Sequence, residues 1–313
     1  MKRHHALFII LSFVALTYIS CDDDKDEDNR PLKSTNANAN DTSTEPALVR
    51  LEFPEMKRIE TTMSNNTRLL FHTTNDIYGL NYTVLWDFDR NAQRWTAYQM
   101  TKSYAGSAGY SGDFHEHSIE DKTFSPINNV GAYYSGSGFD RGHICPSADR
   151  QYSTSANYQT FCYANIQPQY HMFNAGPKIN GKQQYTSPWV RLEDKLRDWI
   201  RSTDTDTIYV VKGGTIDDGM LLPEQNYISK KIPVPGYFFV ALLRKKKAGY
   251  NAIGFWLKHE NIDRSNESLS KYAVNIRELE RLTGYDFFCN LPDDVEEHVE
   301  TLPIENARIA WEL

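Results

Sequence analysis

The sequence has 313 residues, with 34 Lys and Arg against 41 Asp and Glu, a net charge of −7, and 13% aromatic residues. That length accommodates one large domain or two small ones, and the aromatic content excludes a disordered chain. The acidic balance disfavours a protein that coats nucleic acid through bulk positive charge, but leaves room for an enzyme with a local basic cleft; no heptad or solenoid repeat is present.

Lys2 and Arg3 precede an apolar stretch from Ala6 to Ser20. A basic start followed by an apolar segment of this size reads as a secretory signal peptide over residues 1–20, because a membrane span needs about 20 apolar residues. Cys21, directly after Tyr18-Ile19-Ser20, resembles the lipobox cysteine of bacterial lipoproteins. The resemblance implies cleavage before Cys21 and its lipidation, hence a membrane attached through the N-terminal lipid and an exported chain in the cell envelope, at the outer membrane and its surface, or secreted. The other reading is an ordinary signal peptide with a chance cysteine. The acidic run over 22–28 resembles the surface-export signals of some Gram-negative lipoproteins. Residues 21–50 hold too little apolar surface to bury and are expected to form a solvated tether, leaving 51–313 as the folded domain.

Cys145, Cys162 and Cys289 remain beyond Cys21. In an oxidising compartment at least one stays unpaired, and a Cys145–Cys162 bridge and three buried thiols are both open. No Cys-x-x-Cys or Cys/His spacing suggests zinc.

Within the domain, 81–88 and 94–101 alternate apolar and polar residues around Asp89-Arg90-Asn91, the pattern of a β-hairpin. Residues 207–214, 236–245 and 250–259 are rich in Val, Ile and aromatics and read as strands, the last two turning back on each other around Ala248-Gly249. Ser187-Pro188 opens a helix that places Trp189, Leu192, Leu196, Trp199 and Ile200 on one face. Asn275 with Glu278 forms a capping-box pattern, and Gly284 suits the position just past that helix. Strands grouped among few helices predict an α+β domain with a central antiparallel sheet and flanking helices.

Residues 139–150 read FDRGHICPSADR, followed by CYANIQPQYHMFNAGP over 162–177 and WVRLED over 189–194. Together these segments resemble the DNA/RNA non-specific endonucleases, the ββα-metal (His-metal finger) nucleases, whose signature is Asp-Arg-Gly-His, Asn-x-x-Pro-Gln, a second Asn nine residues after the first, and a Trp-x-x-Leu-Glu helix. The likeness runs over roughly residues 65–310, since VVKGGTI, KIPVPGYFFVAL and the segment 278–296 resemble later family segments in the same order.

A phosphodiester is a poor electrophile, so its hydrolysis needs an activated water, a counter to the added charge and support for the leaving oxygen. Imidazole titrates near neutrality, which suits His143 to accept the proton of water. The resemblance implies that Asn165, or a backbone carbonyl of the finger, holds the other side of that ring. It also implies that Asn174 ligates Mg²⁺, or Mn²⁺, through its amide oxygen, a donor suited to a hard and strongly hydrated cation. Glu193 would orient a metal-bound water. Taken alone, Asn174 is a turn residue and Glu193 a solvent-facing acid pairing with Arg197. Gly142 would permit close backbone approach, Asp140 would brace Arg141 or the finger, and His115, His117 and His171 read as structural.

Two departures from the family pattern stand out. Glu193 follows Asn174 by nineteen residues rather than eight, with Pro177 and Pro188 between them. No Arg occurs between Arg94 and Arg141, where the family supplies a cation; Lys102, Lys122 or His115 would have to substitute, with Arg141 left inside the motif. The run from Arg244 to Lys247 is either a phosphate-binding patch or a solvated turn. The implied activity is metal-dependent endonucleolytic hydrolysis of DNA and RNA to 5′-phosphorylated products. The alternatives are a phosphodiesterase acting on another ester and a catalytically weakened surface lipoprotein that binds through the same fold. Oligomeric state is not legible.

Overall fold

The computed structural model describes residues 35–75, 79–104, 106–116 and 130–313; the expectations for residues 1–20, Cys21, His117 and Lys122 fall outside these. After α1 (Met56–Thr62), β1 (Thr67–Thr73), β2 (Leu80–Asp87) and β3 (Ala92–Thr101) form an antiparallel meander. The short α2 (Val130–Tyr134) precedes β4 (Asp140–His143); α3 (Thr154–Thr160) leads into β5 (Ile166–Gln169), which pairs with β4. Then come α4 (His171–Asn174), the two-residue strands β6 (Lys178–Ile179) and β7 (Lys182–Gln183), α5 (Pro188–Arg201) and β8 (Thr205–Gly214). A small ribbon of β9 (Tyr227–Ile228) and β10 (Ile232–Pro233) precedes the long hairpin of β11 (Tyr237–Lys246) and β12 (Gly249–Lys258). The edge strand β13 (Ala273–Val274) and helices α6 (Ile276–Thr283), α7 (Asp293–Thr301) and α8 (Ile304–Ala310) complete the chain.

The main sheet has seven strands in the order β1-β2-β3-β8-β11-β12-β13, antiparallel throughout, as the alternating segments predicted. Because side chains alternate across a strand, each long strand feeds two cores. On one face Tyr98, Val210, Phe238, Val240 and Leu242 pack against Trp189, Leu192, Leu196 and Trp199 of α5. On the other, Trp95, Val211, Phe239, Ala241 and Leu243 pack against α1 and the α6–α7 region. Each fully buried large apolar side chain contributes roughly 1.5–3 kcal/mol, so α5 is anchored along its whole length.

The caps follow the sequence signals. Ser187 accepts from the Val190 amide at α5, Asn275 accepts from Glu278 at α6, and Gly284 closes α6 in the left-handed region at φ 77°. Cys145, Cys162 and Cys289 are free and buried, so the Cys145–Cys162 bridge is not formed.

The tether expected through residue 50 is different in its second half. Residues 35–50 lie against the folded body: Asn40 is buried, its Nδ2 donates to the Pro54 carbonyl and its Oδ1 accepts from the Met56 amide. Asp293 accepts from the Ala37 amide, and Leu48 joins the core. Side-chain amides that satisfy buried backbone groups hold this polar segment in place, which composition alone does not reveal. The basic run after Arg244 is also settled. Arg244 is buried over the Trp311 ring and donates to the Ala310 carbonyl, while Lys245 and Lys246 pair with Asp206 and Asp204 at 3.6 and 2.7 Å, so three of the four cations of the run are engaged within the fold. Among the described residues, no helix is long and apolar enough to cross a membrane.

Candidate active site

The DRGH segment is β4 and the Asn-x-x-Pro-Gln segment enters β5; their pairing, followed by α4, builds a ββα finger on the α5 side of the sheet. Gly142 is required here, because a Cβ at this position would come within 2.2 Å of the Gln169 side chain. Gln167 pins the finger to the sheet: its Oε1 accepts from the Gly214 amide and its Nε2 donates to the Gln93 carbonyl.

His143 ends β4, half-buried, with the rings of Phe161 and Phe114 at centroid distances of 4.8 and 5.5 Å. Burial, reinforced by the nearby positive charge of Lys212, pushes its pKa down to about 4, so the imidazole is neutral at physiological pH. The expectation that Asn165 holds this ring needs correction. Asn165 Oδ1 accepts from the Cys145 amide, and its Nδ2 donates to the carbonyls of Cys145 and Thr160. Its hydrogen bonds go to the backbone of Cys145, two residues beyond His143, and of Thr160, so it shapes the loop that presents the histidine. His143 Nε2 is buried without a hydrogen-bond partner.

Asn174 closes α4. Its Nδ2 donates to Asp140 Oδ2 at 3.0 Å, which ties it to the strand carrying His143. The same carboxylate oxygen lies 2.8 Å from His171 Nδ1, and His171 Nε2 lies 2.7 Å from Gln183 Oε1. Asp140 thus braces Asn174 and His171 rather than Arg141. Arg141 is exposed, its guanidinium 4.6 Å from the Phe114 ring centroid, and no carboxylate partner accompanies it among the described residues. The guanidinium also hydrogen-bonds the Tyr163 side chain, and a cation held in this way against an aromatic face, without a carboxylate partner, is suited to meet a phosphate.

The nineteen-residue spacing resolves into the β6–β7 hairpin, which loops out so that α5 begins at Pro188 and Glu193 falls on its inward face. Glu193 does not pair with Arg197 at the surface. It is almost wholly buried, and its Oε1 accepts from Lys212 Nζ at 2.9 Å. Burial pushes the Glu193 carboxyl up and the Lys212 charge opposes that shift. Arg197 instead meets Asp149 at 2.6 Å and Asp194 at 2.5 Å, and Asp149 also accepts from the Tyr98 hydroxyl. Lys102 lies further along, its Nζ 3.4 Å from the Thr203 carbonyl, lining a cavity of about 510 Å³ with Tyr104, Asp149, Arg197 and Arg201. His115 is satisfied between the carbonyls of Tyr158 and Glu116, in keeping with a structural role.

Lys212, Asp149 and His171 went unread as site residues. For Lys212 a signal existed: Ile208, Val210 and Lys212 share one face of a strand whose other members on that face are buried and apolar.

Residues 61–294 match the family described as DNA/RNA non-specific endonuclease. The chain belongs to that family. A nuclease from Nostoc sp. is 29% identical over 227 residues, covering 70% of this chain and 75% of its own length. Mitochondrial endonuclease G of Bos taurus is 27% identical, covering 67% and 68%, and a nuclease of Serratia marcescens is 26% identical, covering 67% and 73%. A chain in a crystal structure of the EndoG/EndoGI complex superposes with a TM-score of 0.55 at 17% identity, spanning 76% of this chain and 94% of its own, which establishes the common ββα-metal fold. The endonuclease is therefore a nucleic-acid hydrolase of a metal-dependent family, and the sheet, finger and helix are the architecture that family uses.

The residues present fit a hard divalent cation. Asn174 spends its amide nitrogen on Asp140, which turns the neutral oxygen toward other partners, and the carboxylate beside it adds negative charge. Oxygen donors of this kind, with water completing the shell, suit Mg²⁺ or Mn²⁺ rather than zinc.

Proposed function

We propose that this endonuclease hydrolyses phosphodiester bonds of both DNA and RNA without regard to the sugar, using His143 to take a proton from the attacking water and leaving 5′-phosphorylated products. The observation that carries the reading is the neutral, aromatic-walled imidazole at the end of β4 together with an amide ligand, Asn174, braced from the same strand.

The chemistry follows from these positions. A neutral imidazole is competent to accept a proton, and an arriving phosphate adds negative charge beside the ring, which raises its basicity at the moment it is needed. Arg141 meets the non-bridging oxygens. When bound at Asn174, the divalent cation would counter charge on the phosphorus and support the leaving oxygen. Glu193, held by Lys212, is placed to accept a hydrogen bond from water in that region. The roles assigned to these residues are toward water, metal and phosphate, groups that DNA and RNA share.

The decisive experiment incubates supercoiled plasmid and a structured RNA with the enzyme, with Mg²⁺ and with excess chelator. Both substrates are cut, chelator stops both, and His143→Ala loses activity at least 10²-fold, the order expected for removal of a general base. Cleavage of one polymer only removes the sugar-indifferent reading; full activity in His143→Ala removes the histidine from the base role.

We also infer an exported enzyme held at the cell envelope through lipid on Cys21, supported by the basic start, the apolar run and the position of that cysteine. Cys21→Ser is expected to move the protein from the membrane fraction to the soluble one. Retention in the membrane fraction overturns the anchor.

A further inference from the structure

β8 turns Ile208, Val210 and Lys212 toward the face that packs on α5, and the Lys212 side chain is 1% exposed. An ammonium in such a place needs partners. Lys212 has two: Glu193 Oε1 at 2.9 Å and the face of the Trp189 ring, its Nζ 4.2 Å from the centroid. Both lie on α5, so one strand residue holds a carboxylate and an aromatic ring of the helix that follows the finger.

Stability does not account for this pair. A buried ion pair is often no better than well-packed apolar residues of the same volume, and the neighbouring inward positions of β8 are filled by Ile and Val. The position of the pair does account for it: Trp189 and Leu192 of α5 pack with Ile144, Cys145 and Phe173 of the finger region, and Lys212 ties that helix to the sheet through Glu193 and Trp189.

We propose that Lys212 is a positioning residue of the nuclease site, holding the Glu193 carboxylate in place beside the finger. The proposal rests on the nuclease reading above. Among the described residues, Glu193 faces the ensemble from α5, with Arg197 one turn along and Asp149, before α3, beyond it; Tyr98 of β3 faces Glu193, Cys145 faces Lys212, Arg141 shares the strand of His143, and Phe114 and Phe161 wall the ring. Burial is the larger reason for the neutral state of His143 and the Lys212 charge the second.

Lys212→Met removes a positive charge, so His143 binds its proton more readily and the acidic limb of the rate profile moves to higher pH. Burial pushes the Glu193 carboxyl up, so Glu193→Gln changes little charge in the acidic range where His143 titrates, and it should lower kcat with the limb in place. A residue that merely supported the fold would not move the limb. Lys212→Met should also lower kcat roughly 10–100-fold, the range found when the partner of a site residue is removed, and Lys212→Arg should keep the parent's limb while losing less.

The experiment measures plasmid cleavage against pH for the full chain in detergent. In parallel it follows the His143 ring proton by NMR titration on chelator-treated protein, a readout that needs no activity. A midpoint raised in Lys212→Met and kept in Lys212→Arg supports the proposal. Coincident profiles for parent and Lys212→Met, in a parent that cleaves, overturn it while leaving the nuclease reading intact. A parent that cleaves nothing overturns the nuclease reading instead, and with it the proposal. Should Lys212→Met fail to fold, Glu193→Gln decides: a lowered kcat supports the proposal, and cleavage with the parent's kcat overturns it.

Discussion

One carboxylate oxygen of Asp140 serves two neighbours, accepting from Asn174 Nδ2 at 3.0 Å and lying 2.8 Å from His171 Nδ1. That sharing fixes the orientation of the Asn174 amide, and orientation decides whether an oxygen or a nitrogen faces an incoming cation. Asn174→Ala should therefore raise the Mg²⁺ concentration for half-maximal cleavage by tenfold or more, and Asp140→Ala should raise it by a smaller factor, since the amide remains but turns freely. A titration of activity against Mg²⁺ tests both; a curve for Asn174→Ala that overlays the parent's removes it as a ligand. The placing of His143 and Asn174 on one finger was legible because an entire spaced motif surrounds them. Lys212 was not, because a single lysine in a strand looks like any outward polar residue until the strand's inward parity is known, and Asn165 was misplaced because the motif tells which residue is needed but not which backbone group it serves.

Between residues and fold stands the finger, held more by side-chain amides than by its two short strands. β4 and β5 pair over only four residues each, and a ribbon of that size is not stable alone. Asn165, fully buried, supplies three hydrogen bonds across the intervening loop, and Gln167 supplies two more to the sheet. Asn165→Ala strands three buried backbone groups, each costing about 1–3 kcal/mol, so a loss of at least about 3 kcal/mol is expected in urea denaturation, with cleavage lost in proportion as the loop loosens. A loss below about 1 kcal/mol would show that the loop is held by other means. The long elements were readable from periodicity: the Trp189–Ile200 stripe, the β2–β3 alternation and the Asn275 cap all emerged where expected. The β6–β7 hairpin did not, because strands of two residues have no period, and Pro177 and Pro188 announced a break in the helix without saying what fills it.

At the scale of the whole molecule, the sheet separates a catalytic face from an acidic one. On α6 and α7, Glu280, Glu296 and Glu300 are buried beside Asp286, with Arg277 as the nearby cation, 3.0 Å from Glu300. Burial first, and repulsion among the carboxylates after it, pushes all three carboxyls up, Glu296 to about 7. Unfolded glutamates titrate near about 4.3, so the folded chain binds these protons more tightly than the unfolded one. Their contribution to stability is complete below that unfolded value and is lost as pH rises through the folded ones. The melting temperature should fall as pH is raised from about 5 to 8, and Glu300→Gln should flatten that fall; a parent whose melting temperature rises over the interval would contradict it. The arm at residues 35–50 reaches this same face, where Asn38 Nδ2 donates to Glu296 and Asp286. Its polar composition hid that role, since what orders it is geometry between distant residues.

The three cysteines carry a last consequence. Burial raises the thiols of Cys145 and Cys162 to about 12, leaving almost none of either as the reactive anion near neutrality. With no cross-link among these three and no nucleophilic sulfur on offer from Cys145 or Cys162, the folded domain should mature without an oxidant, tolerate reducing agents, and resist the alkylating chemistry that disables exposed sulfhydryls. Such indifference to redox conditions would let the same polypeptide operate on either side of a cell boundary.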